Sequence, residues 1–503
     1  MPSTYDALPY HDQAFATAHP DRLAVIGRLH GIAAAPVTEC RVLELGCGLG
    51  GHLLPMAAVL PNSTFVGVDL SARQIDEGNA VVERLGLRNV ELRAEDLMDF
   101  EGAGAPFDYI ICHGVYSWVP PSVQHRIMSL CAEHLTADGL VMISYNTFPG
   151  WHGNGAVRDV LRYGARGVDD PREQVARALE FLALVARSTF DADGPYAQVL
   201  RAAAARLPSE HPTYVFHEYL EEHNAPLRFE DFAARATTAG LRWVADAELR
   251  DPSADLNDES RDFLTSFADD AVRCEQILDY LGNRRFRRDV LCRAGAEVRR
   301  WPDPAGLAGM RLVGMAEPVS TAPDLEGGVT ERFRNPSGRV LPTADPSLKS
   351  ALVRLHGAGA AGLDFDLLAA DRSATPELGR ALLACAQNGF VSLHTHLPDI
   401  ASTLPDRPRA SAVVRWQAEE GKLVVDSRYR SLRLDALSAA VLAELDGSRT
   451  RSAVREAVNR RLRSGRLRIE GRSDGGRTIS DGELRRVLDE VLQGLAGLGL
   501  LLE

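Results

Sequence analysis

Between Arg41 and Tyr145 short apolar runs alternate with stretches of helical period. RVLEL (41–45), TFVGVD (64–69), VELRA (90–94), FDYIIC (107–112) and GLVMISY (139–145) have strand length. HLLPMAAVL (52–60), ARQIDEGNAVVERLG (72–86) and VQHRIMSLCAEHL (123–135) repeat apolar residues along one helix face, the second opened by Ser71. Strands that are apolar nearly throughout are covered on both faces, and helical crossovers make neighbours parallel. The pattern therefore predicts an α/β, Rossmann-like doubly wound sheet.

After FPGW (148–151) the period becomes helical, in PREQVARALEFLALVARS from Pro171 and PYAQVLRAAAARL from Pro195, each with proline at its first turn. Strand-like runs return at LRWVADAEL (241–249) and RRDVLCRAG (287–295), separated from the helices by FEDFAARATTAG. They read as late strands of the same sheet, which makes the helical block an insertion. A separate small α+β domain is the alternative. Residues 315–345 are rich in Pro, Gly, Ser and Thr and read as a linker. Two winged-helix-like α+β modules follow. The second opens with VVRWQAEEGKLVVDSRYRSLRLD, read as a hairpin turning at Glu420-Gly421. The expected division is 1–150 core, 151–211 helical insertion, 212–314 late strands with a regulatory-type region, 315–345 linker, 346–404 middle module and 405–503 C-terminal module.

Composition narrows the setting. No apolar stretch is long enough to span a bilayer, and the first thirty residues lack a basic head followed by an apolar block, so a cytoplasmic protein without an integral membrane segment is expected. A net charge of −13 argues against nucleic acid as partner. The seven cysteines are scattered without a Cys-x-x-Cys pair, which predicts reduced buried thiols and no metal site.

The chemistry concentrates after the first strand. Gly46, Gly48 and Gly51 satisfy G-x-G-x-x-G, a pattern shared by dinucleotide folds and by folds that bind S-adenosylmethionine. A dinucleotide brings a pyrophosphate to backbone N–H groups at a helix N-terminus. S-adenosylmethionine brings an ammonium, a sulfonium, a ribose and an adenine, and calls for acids. Glu44 precedes the turn, Asp69 ends the second strand, and Asp96 follows the third, with Leu70 and Leu97 beside them. A carboxylate at each position can meet the ammonium, the ribose hydroxyls and the adenine amine in turn. Each also has a plainer reading, as an ion-pair partner, an N-cap or a solvated loop residue. The ordered set favours the methyl donor as cofactor over a dinucleotide.

Tyr5-Asp6-x-x-Pro9-Tyr10, His19-Pro20, ELGCGLGGHLLPMA (44–57), DLSARQIDEG (69–78), HGVYSWVP (113–120) and SYNTFPGWH (144–152) resemble the bacterial protein-lysine methyltransferases that act on rickettsial outer-membrane proteins. HEYLEEHNAPLRFEDF (217–232) and ILDYLGNRRFRRDVLCR (277–293) resemble that wider family's methyltransferase regulatory domain. Residues 401–503 look distantly like peptide-binding winged-helix domains. The resemblance implies a lysine acceptor on a protein or peptide substrate, and a homodimer.

For a methyltransferase, the edge after the fourth strand is where the methyl points. His113 is expected to contact the cofactor, and Tyr116 and Trp118 to wall the acceptor channel, against the alternative of aromatic packing. Tyr145 and Trp151, with Asn146 and His152, are further catalytic-side candidates. Tyr5 and Tyr10 are expected to fold over the cofactor. His217 and His223 lie six residues apart, which excludes a zinc-protease helix. The leading expectation is methylation of a protein or peptide side chain. The rivals are a tailoring O- or N-methyltransferase acting on a natural product, a non-catalytic cofactor-sensing or peptide-binding scaffold, and, behind these, a nicotinamide oxidoreductase.

Overall fold

The computed structural model describes residues 8, 13–251, 255–370, 376–401, 403–464, 466–467 and 481–503. Tyr5 and Tyr10 lie outside the described residues. Seven strands form one sheet: β1 (Arg41–Leu45), β2 (Thr64–Asp69), β3 (Val90–Ala94), β4 (Phe107–Cys112), β5 (Leu135–Asn146), β6 (Leu241–Asp246) and β7 (Phe286–Arg293). Their order is β3-β2-β1-β4-β5-β7-β6. The first five strands run parallel, and β7 lies antiparallel between β5 and β6. The two late strands therefore complete the same sheet, and the separate α+β domain is excluded. Strand order reverses between β1 and β4, which opens a crevice at their carboxyl ends.

Alternation along each strand sorts side chains to two cores. Val42, Phe65, Tyr109 and Met142 pack under the Pro20–Leu29 and Leu53–Val59 helices. Leu43, Val66, Ile110, Ile143 and Tyr145 pack under the Pro121–His134 and Phe229–Thr238 helices. Local signals act as their chemistry requires. Ser71 Oγ accepts from the Gln74 amide at 3.2 Å to start the Ala72–Leu85 helix, and Gly86, at φ +66°, ends it. The Trp151–Gly164, Pro171–Ser188 and Pro195–Arg206 helices enclose a core of their own around Leu161, Leu182 and Leu200.

Two sequence expectations need correction. The stretch read as a linker holds a three-stranded antiparallel sheet of Glu317–Pro318, Glu331–Arg334 and Val340–Thr343. One residue organises it. Phe333 is fully buried in the middle module's core, an anchor that composition hides. The supposed hairpin at 413–432 begins instead as the Ala412–Glu419 helix, capped by Ser411 Oγ accepting from Val414 N at 3.2 Å. Gly421 follows that helix, and the hairpin turns later, between Val424–Val425 and Ser431–Leu432. At its tip Tyr429 (φ +62°) enters the sheet domain's own core between His19 and His52.

Candidate functional site

β1 leads directly into a turn that only glycine can make. Gly46 has φ +78°, and a Cβ on it would stand 2.3 Å from Val115 Cγ2 in the segment after β4. Gly48 follows at φ +55°. The turn is tied to the end of β2: the Gly46 and Cys47 amides donate to Val68 O at 2.8 and 3.2 Å, and the Gly48 amide donates to Asp69 Oδ2 at 2.8 Å. Asp69 Oδ1 accepts from Ser71 N at 2.9 Å. The first three N–H groups of the turn are thus engaged inside the protein.

The other acids stand at neighbouring strand ends. Glu44 is buried on β1, level with Gly67 of β2 and Ile111 of β4. Burial, and then this carboxylate, push the Cys112 thiol up to about 12, so it is not a nucleophile. Asp96 is exposed and accepts from Met98 N at 2.9 Å, while Glu95 N donates to Asp69 O at 3.0 Å. Leu70 lies 67% exposed beside Asp69, and Leu97 is half-buried at the edge of the core. An apolar and acidic rim therefore runs along β1, β2 and β3.

His113 closes the crevice after β4. Its ring packs against Phe15 at 4.1 Å and Phe286 at 6.0 Å. Burial first, and then Arg288, push its pKa down to about 3, which keeps the imidazole neutral. Its Nδ1 is buried and has no hydrogen-bond partner among the described residues. The N-terminal segment is fastened on either side. Phe15 N donates to His52 Nδ1 at 3.3 Å, and the Leu8 carbonyl lies 2.6 Å from His217 Nε2, whose Nδ1 lies 2.7 Å from Glu221. His217 is therefore an anchor for the N-terminal segment. Sequence reasoning missed Phe15 and His52: Phe15 lies outside every motif, and His52, although it follows the glycine turn directly, meets Phe15 and Tyr429 only through long-range contacts.

The four residues expected to be catalytic separate into two pairs. Tyr116 is fully buried, edge-on to Tyr145 and Phe232, in the core below the crevice. Tyr145 stacks on Phe232 at 4.1 Å and its hydroxyl bonds Asp289 at 2.6 Å. Burial and then Asp289 push that hydroxyl well above its usual range. Both fill the space under the Phe229–Thr238 helix, the packing arrangement weighed against a channel-wall role for Tyr116. Trp118 is half-buried and meets buried Trp151 edge-on at 6.2 Å. Asn146 pairs in register with Phe286, the residue touching His113. The Asn146 amide donates to Ser117 Oγ at 2.8 Å, and its side-chain Nδ2 is buried without a partner among the described residues.

Among the described residues no group of His, Cys, Asp and Glu could hold a metal, and no helix is long and apolar enough to cross a membrane. Comparison with known proteins matches residues 42–139 to a methyltransferase domain, 211–293 to a predicted methyltransferase regulatory domain and 406–500 to the PKMT C-terminal winged helix domain. An uncharacterised protein of Rickettsia prowazekii is 29% identical over 97% of this chain and 91% of its own length. A second from that organism is 34% identical over 46% of this chain and 93% of its own. The solved structure of PKMT2 from Rickettsia typhi in complex with AdoHcy superposes with a TM-score of 0.83 at 25% identity, covering 98% of this chain and all of that one.

Proposed function

Because the chain belongs to the bacterial class I S-adenosylmethionine-dependent methyltransferases of the rickettsial protein-lysine methyltransferase type, we propose that it methylates a protein or peptide side chain, with a lysine amine as the acceptor. The observation that carries the cofactor geometry is the wiring of the glycine turn. A pyrophosphate needs free turn amides, and those of Gly46, Cys47 and Gly48 already bond Val68 and Asp69. What faces the crevice is acidic and apolar. The residues fit the cofactor: Glu44 would meet the ammonium, Asp69 the ribose hydroxyls, Asp96 the adenine amine, and Leu70 and Leu97 the adenine faces. The free, neutral His113 Nδ1 would add a hydrogen bond. Tyr5 and Tyr10 belong to the same N-terminal segment as Phe15 and would cover this group.

When bound, the cofactor supplies an electrophilic methyl on sulfur. The chain's own residues have to align the acceptor, exclude water and keep the acceptor's lone pair free. A lysine amine, of pKa about 10.4 in water, must lose its proton, and an apolar pocket favours the neutral form. Trp118, with Trp151 behind it, would supply that wall, and Asn146 would orient the amine. Tyr145 does not act as base, because its hydroxyl is buried and donates to Asp289.

Relatedness to PKMT2 and the C-terminal winged-helix match support a polypeptide substrate. Exposed Tyr163, Leu184, Phe190 and Tyr196 on and beside the inserted helices support a homodimer, and the lack of a membrane-crossing helix among the described residues fits work in the cytoplasm. The test is transfer of labelled methyl from S-adenosylmethionine into proteins of the native cell extract. The expected product is methyl-lysine, lost when lysines are acetylated beforehand. Base-labile label would mean carboxyl esters and would defeat the lysine assignment.

A further inference from the structure

A cavity of about 710 Å³ lies away from the crevice, where the sheet domain, the middle module and the C-terminal module meet. Residues 16–22 and the Leu53–Val59 helix form one wall, the Val391–His394 strand a second, and the 426–430 turn a third. None of Glu44, Gly46, Gly48, Asp69, Asp96 or His113 lines it. Its size is that of a small-molecule site, which typically runs from about 300 to 1,000 Å³.

The lining is rich in arginine. Arg22, Arg250, Arg339, Arg428 and Arg430 reach it, with the carboxylates of Asp21, Glu248 and Asp426, and Arg250 and Arg339 both pair with Asp255. Those carboxylates are engaged. Asp21 holds His394 at 2.8 Å and the amides of Thr395 and His396 at 2.6 and 3.0 Å. Glu248 pairs with Arg288, and Asp426 pairs with Arg430 at 2.7 Å and with Arg428 at 3.7 Å, which leaves Arg22 without an ion pair among the described residues. Donors remain unmet. Arg428 Nε and Ser427 Oγ are buried without a hydrogen-bond partner among the described residues. Burial lowers the guanidinium pKa of both Arg22 and Arg428 by more than the nearby acids restore.

We propose that this cavity binds a small organic polyanion, a molecule with two or more phosphate or carboxylate groups, held by Arg22, Arg428 and Ser427. Guanidinium forks match the paired oxygens of both groups. Such a ligand touches all three units and stabilises their docking. This site is independent of the methyl-transfer reading.

The test is calorimetry and thermal melting of the full-length protein with pyrophosphate and with citrate, at low salt and at about 0.15 M salt. Expected is saturable one-to-one binding of at least one probe that raises Tm and is not displaced by S-adenosylhomocysteine. The better probe identifies phosphate or carboxylate as the natural head group. Arg22→Gln and Arg428→Gln should each weaken binding roughly tenfold, and the milder Ser427→Ala should weaken it about threefold. Failure of both probes to bind saturably, displacement by S-adenosylhomocysteine, or unchanged affinity in Ser427→Ala and in whichever arginine variants fold would overturn the proposal.

Discussion

The two halves of the central sheet treat their charged groups in opposite ways. Along β1, β2 and β3 the acids stand at strand ends, and two of them are held by backbone amides, Asp69 by Gly48 and Ser71 and Asp96 by Met98. Along β5, β7 and β6 the charges are sealed. Arg287 is fully buried and bonds Asp279 at 2.7 Å, Asp289 at 3.0 Å and Glu275 at 2.9 Å, while Tyr145 and Trp243 also bond Asp289. Carboxylates fixed by amides keep lone pairs for a ligand. The carboxylates around the buried guanidinium face inward, where no ligand reaches them. Position at a strand end is therefore weaker evidence for function than the partner that holds the side chain.

The sealed half should break most visibly. Arg287→Ala strands several carboxylates in the core, and denaturant melts should show a loss of about 3–5 kcal/mol. A loss below about 1 kcal/mol would mean that the network is dispensable. The boundary between halves is probed by Asn146→Ala. It should lower kcat ten- to hundredfold, the equivalent of about 1.5–3 kcal/mol for a hydrogen bond to a reacting group, and leave S-adenosylhomocysteine affinity unchanged. An unchanged kcat would move the acceptor elsewhere.

A smaller effect separates the halves by pH. His113 stays neutral in the fold down to about 3, against 6.5 when unfolded. As pH falls below 6.5 the unfolded chain takes up a proton that the folded chain refuses, so this histidine's contribution is complete above 6.5 and is lost towards 3. His113→Phe should then lose less stability than the parent between pH 7 and pH 4.5, measured by urea melts. Identical pH profiles would show that the imidazole is not desolvated. Smallest of all is Arg84→Ala. Its pairs with Glu419 and Glu420, at 3.1 and 2.8 Å, are about half exposed, and stability should change by less than about 1 kcal/mol.

Legibility in the sequence follows the same division. The open half is written in local chemistry, since a glycine turn, an acid ending a strand and a capped helix each occupy a few consecutive residues. Glu44, Gly46, Gly48, Asp69 and Asp96 could be placed on neighbouring strand ends from spacing alone. The sealed half is written in long-range contacts. Tyr145 meets Asp289, 144 residues away, and nothing near Tyr145 announces that partner, so its ring read as an active-site group. His52 meets Phe15 in the same silent way, and Tyr429 meets His52 across 377 residues. The Ala412–Glu419 helix was misread because VVRW has strand-like composition, while the Ser411 cap decided the outcome.

The most direct test of the division is a calorimetric titration of S-adenosylhomocysteine into Asp69→Asn beside the parent protein. Affinity should fall ten- to hundredfold, as expected for losing about 1.5–3 kcal/mol of charged hydrogen bonding, with a modest fall in Tm because Asn can accept from only one of the two amides that Asp69 holds. Equal affinity in the two proteins, or tight binding of NAD in place of S-adenosylhomocysteine, would contradict the assignment of the amide-held carboxylates to the cofactor.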